Sequence, residues 1–229
     1  MPSLTVENYI KTIYQICSHQ AGAAAATGQL AAALRVSPGS VTSMLKTLSE
    51  SGLVTYTPYE GVRLTSAGTS LAMRVLRRHR LIELFLVKTL NLTWDEVHEE
   101  AEQMEHAVSD LLVDRIDAYL NFPEVDPHGD PIPRSDGSIS KADSQMLADC
   151  PAGYEFRLAR VLDQSPEFLR YLTESNLSLG AVGQVVANRS AARIVTVRVD
   201  QRETTLAREA AEQLLVSPLN RGPSLEHAP

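Results

Sequence analysis

Cysteine is nearly absent from this chain: Cys17 and Cys150 are the only two in 229 residues. Two cysteines cannot make a disulfide framework or a four-cysteine zinc site. Long apolar runs are absent as well. None approaches the ~20 residues of a membrane-spanning helix, and the N-terminus has no charged-then-apolar signal segment. The expected location is therefore cytoplasmic, with no membrane partner. What is present is ordinary for a globular chain. With 44% hydrophobic and 21% charged residues, wholesale disorder and fibrous repeats are excluded, and 25.0 kDa suffices for one large domain or two to three small ones. Cys17 continues the helical pattern of Ile10, Ile13 and Tyr14 and is read as core.

Net acidity argues against a polyanionic partner only on average. The chain carries −7 overall, yet residues 1–80 hold eight basic side chains (Lys11, Arg35, Lys46, Arg63, Arg74, Arg77, Arg78, Arg80) against Glu7, Glu50 and Glu60. That is a net of +5, leaving −12 for residues 81–229. Such segregation fits a polyanion-binding front.

Residues 4–20 place apolar side chains at 6, 9, 10, 13, 14 and 17, one face of a helix. After an Ala- and Gly-rich loop at 21–26, Thr27 reads as the N-cap of a short helix burying Leu30, Ala31 and Leu34. Ser37 caps the next helix, with Pro38 at its first position, and Gly52 ends it. Two short helices about so tight a turn are a helix-turn-helix. LVTYTPYEGVRLT then reads as a hairpin around Pro58–Gly61, which completes a winged helix. Helical patterns resume at about 66–90 and 93–120. Residues 121–146 hold four of the 12 prolines and read as a linker. From about 147 the pattern alternates, apart from a short helix in PEFLRYLTESNL, as in a small β-barrel. The tail from Pro218 reads as disordered.

Two constellations carry chemistry. The second helix of the pair exposes Gly39, Ser40, Thr42, Ser43, Lys46 and Thr47, small hydroxyl side chains that let a helix sit close in a major groove, with Lys46 for a phosphate. The wing adds Tyr59 and Arg63. With the turn residues Arg35, Ser37 and Pro38, these are the candidate contacts to double-stranded DNA. No arginine is aimed obviously at guanine, so shape and methyl contacts are expected to carry much of the recognition. In the second constellation, His98, Glu102, Glu105 and His106 fall within an arc of about 100° on one expected helix, flanking an apolar stripe. His79 and Glu83 repeat the i, i+4 spacing on the preceding helix. Imidazoles and carboxylates facing one another from two helices suit a divalent transition metal.

Taken in this order, the two constellations resemble the metal-dependent regulators typified by the diphtheria toxin repressor, the iron-dependent regulator and the manganese transport regulator. ENYIKTIYQI resembles that family's first helix, SPGSVTSMLKTLSESGLV its recognition helix, and LTSAGTSLAMRVLRRHRLIELFL the segment with the first metal ligand. VHEEAEQMEH resembles its metal-binding helix and HGDPIP the turn after the dimerisation region. Residues ~147–217 resemble the SH3-like domain of its longer members. The resemblance implies a mainly α N-terminal half, made of a winged helix-turn-helix and a helical dimerisation domain, with a small all-β SH3-like C-terminal domain. The expected domains are 1–65 for DNA binding, 66–121 for dimerisation and metal, 122–146 as linker, 147–217 as barrel and 218–229 as disordered tail.

It also implies two metal sites per subunit. One takes His79, Glu83 and His98, completed by Gln164 and Glu167. The other takes Asn8, Glu102, Glu105 and His106. The chain departs from the family's patterns here. The iron regulators place methionine and cysteine at the positions of Asn8 and Glu102; the short manganese regulators place aspartate and glutamate there, with a further glutamate where this chain has Lys11. Oxygen and imidazole donors without sulfur suit Mn²⁺ or Fe²⁺, with manganese favoured. The function expected is a homodimeric, metal-dependent repressor of manganese or iron homeostasis genes, without catalysis and without a small-molecule substrate. Metal would tie Asn8 on the first helix to the Glu102–His106 segment and set the spacing of the recognition helices. The alternatives are a metal-dependent hydrolase using the same cluster and a winged helix answering to a small molecule.

Overall fold

The fold is known from a computed structural model that describes residues 3–20, 22–140 and 143–219. It comprises two compact units. The first takes Met1–Ile82, Glu102–Arg115 and Ile132–Ile139, and the second takes Glu83–Ala101, Ile116–Pro131 and the chain from Ser140.

The first unit begins with α1 (Leu4–His19), α2 (Thr27–Leu34) and α3 (Pro38–Glu50). Ser37 caps α3 as its sequence implies, its Oγ accepting from the Ser40 amide at 3.1 Å, with Pro38 in the first turn. Gly52 then takes φ +72°, a conformation that suits glycine at a helix end. The cap of α2 differs from expectation. Thr27 lies within the helix, Ala26 is the N-cap, and the Gln29 side chain reaches back to accept from the Ala26 amide at 2.9 Å. A glutamine three residues on supplies half of a capping box without a hydroxyl at the cap. Strands β1 (Val54–Thr57) and β2 (Gly61–Leu64) pair antiparallel from Val54↔Leu64 to Thr57↔Gly61, and Ala25 adds a bridge to Val62. Ile10, Ile13, Leu30, Val41, Leu45, Leu48, Val62 and Leu76 are the centre of the core, each contributing about 1.5–3 kcal/mol through burial. Cys17 packs at the margin of this core and is only partly buried.

The long helix α4 (Ser66–Leu90) starts in the first unit and ends in the second. The pattern expected to be one helix over 93–120 is instead two, α5 (Val97–Met104) and α6 (Asp110–Tyr119). Ser109 interrupts it, its hydroxyl accepting from the Leu112 amide at 3.3 Å as a new helix cap. No described helix is long and apolar enough to cross a membrane.

The second unit is built on an antiparallel six-stranded sheet of β3 (Gln145–Met146), β4 (Glu155–Val161), β5 (Val182–Arg189), β6 (Ile194–Val199), β7 (Arg202–Ala207) and β8 (Leu214–Pro218), in the order β3-β8-β4-β5-β6-β7. Registers shift between Leu158 and Arg160 and between Val185 and Ala187, bulges that bend the strands. The helix α7 (Pro166–Glu174) sets Leu169 and Leu172 into the sheet's core. A short α8 (Arg208–Glu212) stands where strand alternation was expected; its Ala-rich REAAE favours helix and buries only Ala211. Pro218, read as the start of the tail, closes β8, and residues 220–229 lie outside the described residues. The stretch read as a linker carries buried side chains, among them Asp126, His128 and Ile132. Gly129 in this stretch has φ +86°, and a Cβ there would lie 2.1 Å from the Ala159 carbonyl oxygen, so no side chain fits.

Candidate metal centre and nucleic-acid interface

In the first unit, charged side chains from α1, α4 and the end of α5 converge. Glu105 is wholly buried. One of its oxygens lies 2.6 Å from His79 Nδ1, and the Lys11 ammonium donates to both at 2.8 and 3.1 Å. The same ammonium donates to Glu102 Oε1 at 2.5 Å. Burial opposes ionisation of Glu105, but the His79 hydrogen bond and the charges of His79 and Lys11 outweigh it and hold its pKa below the usual carboxylate range. His106 turns its Nδ1 to Glu7 Oε2 at 2.7 Å, which leaves Nε2 pointing inward, 3.3 Å from Glu105 Oε1. Glu7 is shared with Arg78 at 3.3 Å, and Arg78 also donates to Asp110 at 2.9 Å. Glu105 and His106 fall in the turn after α5, so the single-helix arc read from the sequence does not describe them, although they still face the same neighbours.

Three buried polar atoms around this cluster have no aligned hydrogen-bond partner among the described residues: Asn8 Oδ1, His106 Nε2 and Arg78 Nε, of which the first two can ligate a metal. A buried amide oxygen without a partner, and a buried imidazole nitrogen 3.3 Å from the Glu105 carboxylate, are costly unless something satisfies them. Neutral imidazole and oxygen donors are what a divalent ion of intermediate hardness takes. By donor chemistry the expected set Asn8, Glu102, Glu105 and His106 suits such an ion, whereas the described ligand atoms that lie within 4.8 Å of one another are those of Glu102, Glu105 and His79.

In the second unit, Glu83 is almost fully buried and lies one helical turn beyond His79 on α4. His98 Nδ1 lies 3.2 Å from Glu83 Oε1. Glu83, Asp126 and His128 bring one potential ligand atom each within 4.8 Å of one another. His128 Nε2 donates to the Trp94 carbonyl, 2.7 Å away. Its Nδ1 is buried without an aligned partner, 3.8 Å from Glu83 Oε2. Burial works against protonation, yet the carboxylates of Glu83 and Asp126 raise the His128 pKa to about 9. Sequence reasoning missed Asp126 and His128; the Asp-Pro-His spacing just before Gly129 was the available signal. It also missed Glu7, which orients His106, and the place of Lys11 between two carboxylates. Of the two residues expected to complete the His79–Glu83–His98 set, Gln164 donates to Asp130 Oδ2 at 3.1 Å and Glu167 is exposed in the first turn of α7.

The other candidate surface belongs to α2, α3 and the hairpin. Arg35, Ser37, Pro38, Gly39, Ser40, Ser43 and Lys46 are exposed. Thr42 is half-buried, its hydroxyl donating to the Pro38 carbonyl at 3.0 Å. Tyr59 stands free at the hairpin tip with φ +70°. Arg63 is exposed but hydrogen-bonds the Gly22 carbonyl. The basic run on α4 is not part of this surface as a whole. Arg78 and Arg80 are buried and Arg77 pairs with Asp114 at 3.3 Å, so the positive front is smaller than the sequence count.

Residues 1–62 match the iron dependent repressor N-terminal DNA binding domain, and residues 65–134 match the iron dependent repressor metal binding and dimerisation domain. The Iron-dependent repressor IdeR of Mycobacterium leprae is 32% identical over 156 residues, covering 65% of this chain and 67% of that protein. The chain belongs to the iron-dependent repressor family. Residues 145–218 add a FeoA domain. Another member of the family, the Diphtheria toxin repressor of Corynebacterium glutamicum, is 30% identical over 80% of this chain and 83% of its own. A solved structure described as a manganese-dependent transcriptional repressor in complex with manganese is 38% identical, covers 93% of this chain and all of its own, and superposes with a TM-score of 0.83. Membership gives this chain a DNA-binding domain and a metal-binding and dimerisation domain.

Proposed function

We propose that this chain is a homodimeric transcription repressor whose grip on a two-fold DNA operator is set by Mn²⁺, with Fe²⁺ as the second candidate ion. The observation that carries this reading is the orphaned, buried His106 Nε2 3.3 Å from Glu105 Oε1, with a second orphaned buried ligand atom, Asn8 Oδ1, on α1. When bound there, a divalent ion supplies positive charge to the carboxylates and a crosslink between α1 and the end of α5. The chain's own residues prepare that place: Glu7 fixes the His106 tautomer so that Nε2 faces the carboxylates. α1 packs against α2, whose C-terminal turn leads into α3, so the angle of α1 bears on the exposed face of α3. That face, with Ser40, Ser43 and Lys46, enters the major groove, while Tyr59 and Arg63 reach the flanking backbone. Sulfur is missing from the donor set, which favours manganese or iron over softer ions.

A second site in the second unit centres on Glu83 and His98, with Gln164 and Glu167 as completing donors; Asp126 and His128 offer an alternative set on the same carboxylate. Leu111, Leu112 and Tyr119, exposed along α6, supply an apolar face for the second subunit. A gel-shift titration of the full chain with Mn²⁺, Fe²⁺, Zn²⁺ and chelator tests the reading. Retardation that appears with Mn²⁺ or Fe²⁺ and disappears with chelator is the expected result. Retardation indifferent to all four additions would end it.

A further inference from the structure

We propose that Lys11 is a built-in cation: its ammonium takes the place of a second metal ion on the Glu102–Glu105 carboxylates, so that this cluster receives a single divalent ion, on the Asn8–His106 side. This rests on the reading of Asn8, Glu102, Glu105 and His106 as a metal site.

Three side chains, His79, Glu102 and Glu105, bring one potential ligand atom each within 4.8 Å of one another, close enough to hold an ion by themselves. The carboxylates of that trio already meet a cation. Lys11 Nζ makes three contacts, at 2.5 Å with Glu102 and at 2.8 and 3.1 Å with the two oxygens of Glu105, which matches the three N–H donors an ammonium has. Lys11 is only 5% exposed. A buried ammonium is tolerated where carboxylates surround it, and here they come from a segment more than ninety residues away in sequence.

Charge points the same way. Among Glu7, Glu102, Glu105, Asp110, Lys11 and Arg78, four negative charges meet two positive ones and leave two negative charges. One divalent ion neutralises that, whereas two would leave two excess positive charges in a largely buried site. The Glu105 oxygen that meets Lys11 at 2.8 Å can still serve a single ion. An ionised carboxylate has about four lone-pair directions, and Oε1 also lies near the orphaned His106 Nε2. Lys11 thus joins α1 to the end of α5 permanently, and metal adds a second, reversible tie a turn away at Asn8.

Electron paramagnetic resonance and native mass spectrometry of the full-length protein with Mn²⁺ test this. Two Mn²⁺ ions sharing a carboxylate, about 3.5–4 Å apart, give an exchange-coupled spectrum; separate ions give the plain six-line pattern. The wild-type protein should show only uncoupled Mn²⁺, and His106→Ala should bind one ion fewer per chain. Lys11→Glu exchanges the fixed cation for a carboxylate and should bind one more Mn²⁺ per chain, with exchange coupling appearing. A coupled spectrum in the wild-type protein overturns the proposal without any variant, as does a folded Lys11→Glu protein with the wild-type ion count. If the wild-type protein takes up Mn²⁺ and binds DNA in response, but Lys11→Glu gains no ion, only the role of Lys11 fails. If it takes up no Mn²⁺ at all, the metal-site reading fails with it.

Discussion

Seven basic side chains of the first unit fall into two groups with opposite surroundings. Arg35, Lys46, Arg63 and Arg74 are exposed, and the first three belong to the helix-turn-helix and hairpin. Lys11, Arg78 and Arg80 are buried, and the partners of Lys11 and Arg78 are carboxylates of α1, the α5 end and α6. Side chains of the same charge, some only a few residues apart, thus do different work. The outward group is available to a phosphate backbone. Within the inward group, Lys11 and Arg78 hold together carboxylates around the candidate metal centre. The excess of +5 read over residues 1–80 counts both alike, and only part of it can act on a polyanion.

The sharpest way to break this comparison is at its inward centre. Glu105→Ala removes the carboxylate shared by Lys11 and His79 and leaves a buried ammonium partly unpaired. We expect a loss of about 3–5 kcal/mol in unfolding free energy of the metal-free protein, measured by denaturant titration; a change below about 1 kcal/mol would mean that the cluster is not held by its charges. Arg78→Met comes next. It strips Glu7 of its guanidinium but leaves the His106 hydrogen bond, so about 2–3 kcal/mol is expected. The salt dependence of DNA binding should stay unchanged, because Arg78 faces inward.

The outward group should behave in reverse. Lys46→Ala is expected to leave stability within about 0.5 kcal/mol and to lower the slope of log affinity against log salt by about one. An unchanged slope would remove Lys46 from the interface. The smallest effect sharpens the scaffold of that surface. Ser37→Ala should cost about 1 kcal/mol, whereas Thr27→Ala should cost less than about 0.5 kcal/mol because Gln29, not Thr27, satisfies the start of α2. Thermal unfolding of the two variants side by side measures the difference.

These contrasts mark what was legible in the sequence. Local patterns delivered the helix-turn-helix, the hairpin and the alternating C-terminal strands, because helix period, caps and turn residues act over a few positions. Among the candidate ligands, spacing on one segment singled out Glu102, Glu105 and His106, and resemblance alone added Asn8. The break at Ser109 was hidden because neither glycine nor proline marks it, and a serine can cap a helix or decorate one. Long-range pairing was not legible at all. Nothing within a few residues of Lys11 indicates that its ammonium meets Glu102 and Glu105, and nothing near Glu83 announces Asp126 and His128. In the same way, Arg78 looks like its neighbour Arg74 until α1 and α6 are folded against it.

The central claim is that a divalent ion at Asn8, Glu102, Glu105 and His106 controls the DNA-binding surface. The most direct test is fluorescence anisotropy of a double-stranded operator, selected from a random pool with Mn²⁺ present, titrated with wild-type protein and with His106→Ala. The account predicts that Mn²⁺ tightens wild-type binding at least tenfold and that chelator reverses it. His106→Ala should bind weakly, with the same affinity with and without Mn²⁺. A Mn²⁺ response of wild-type size in His106→Ala would contradict it.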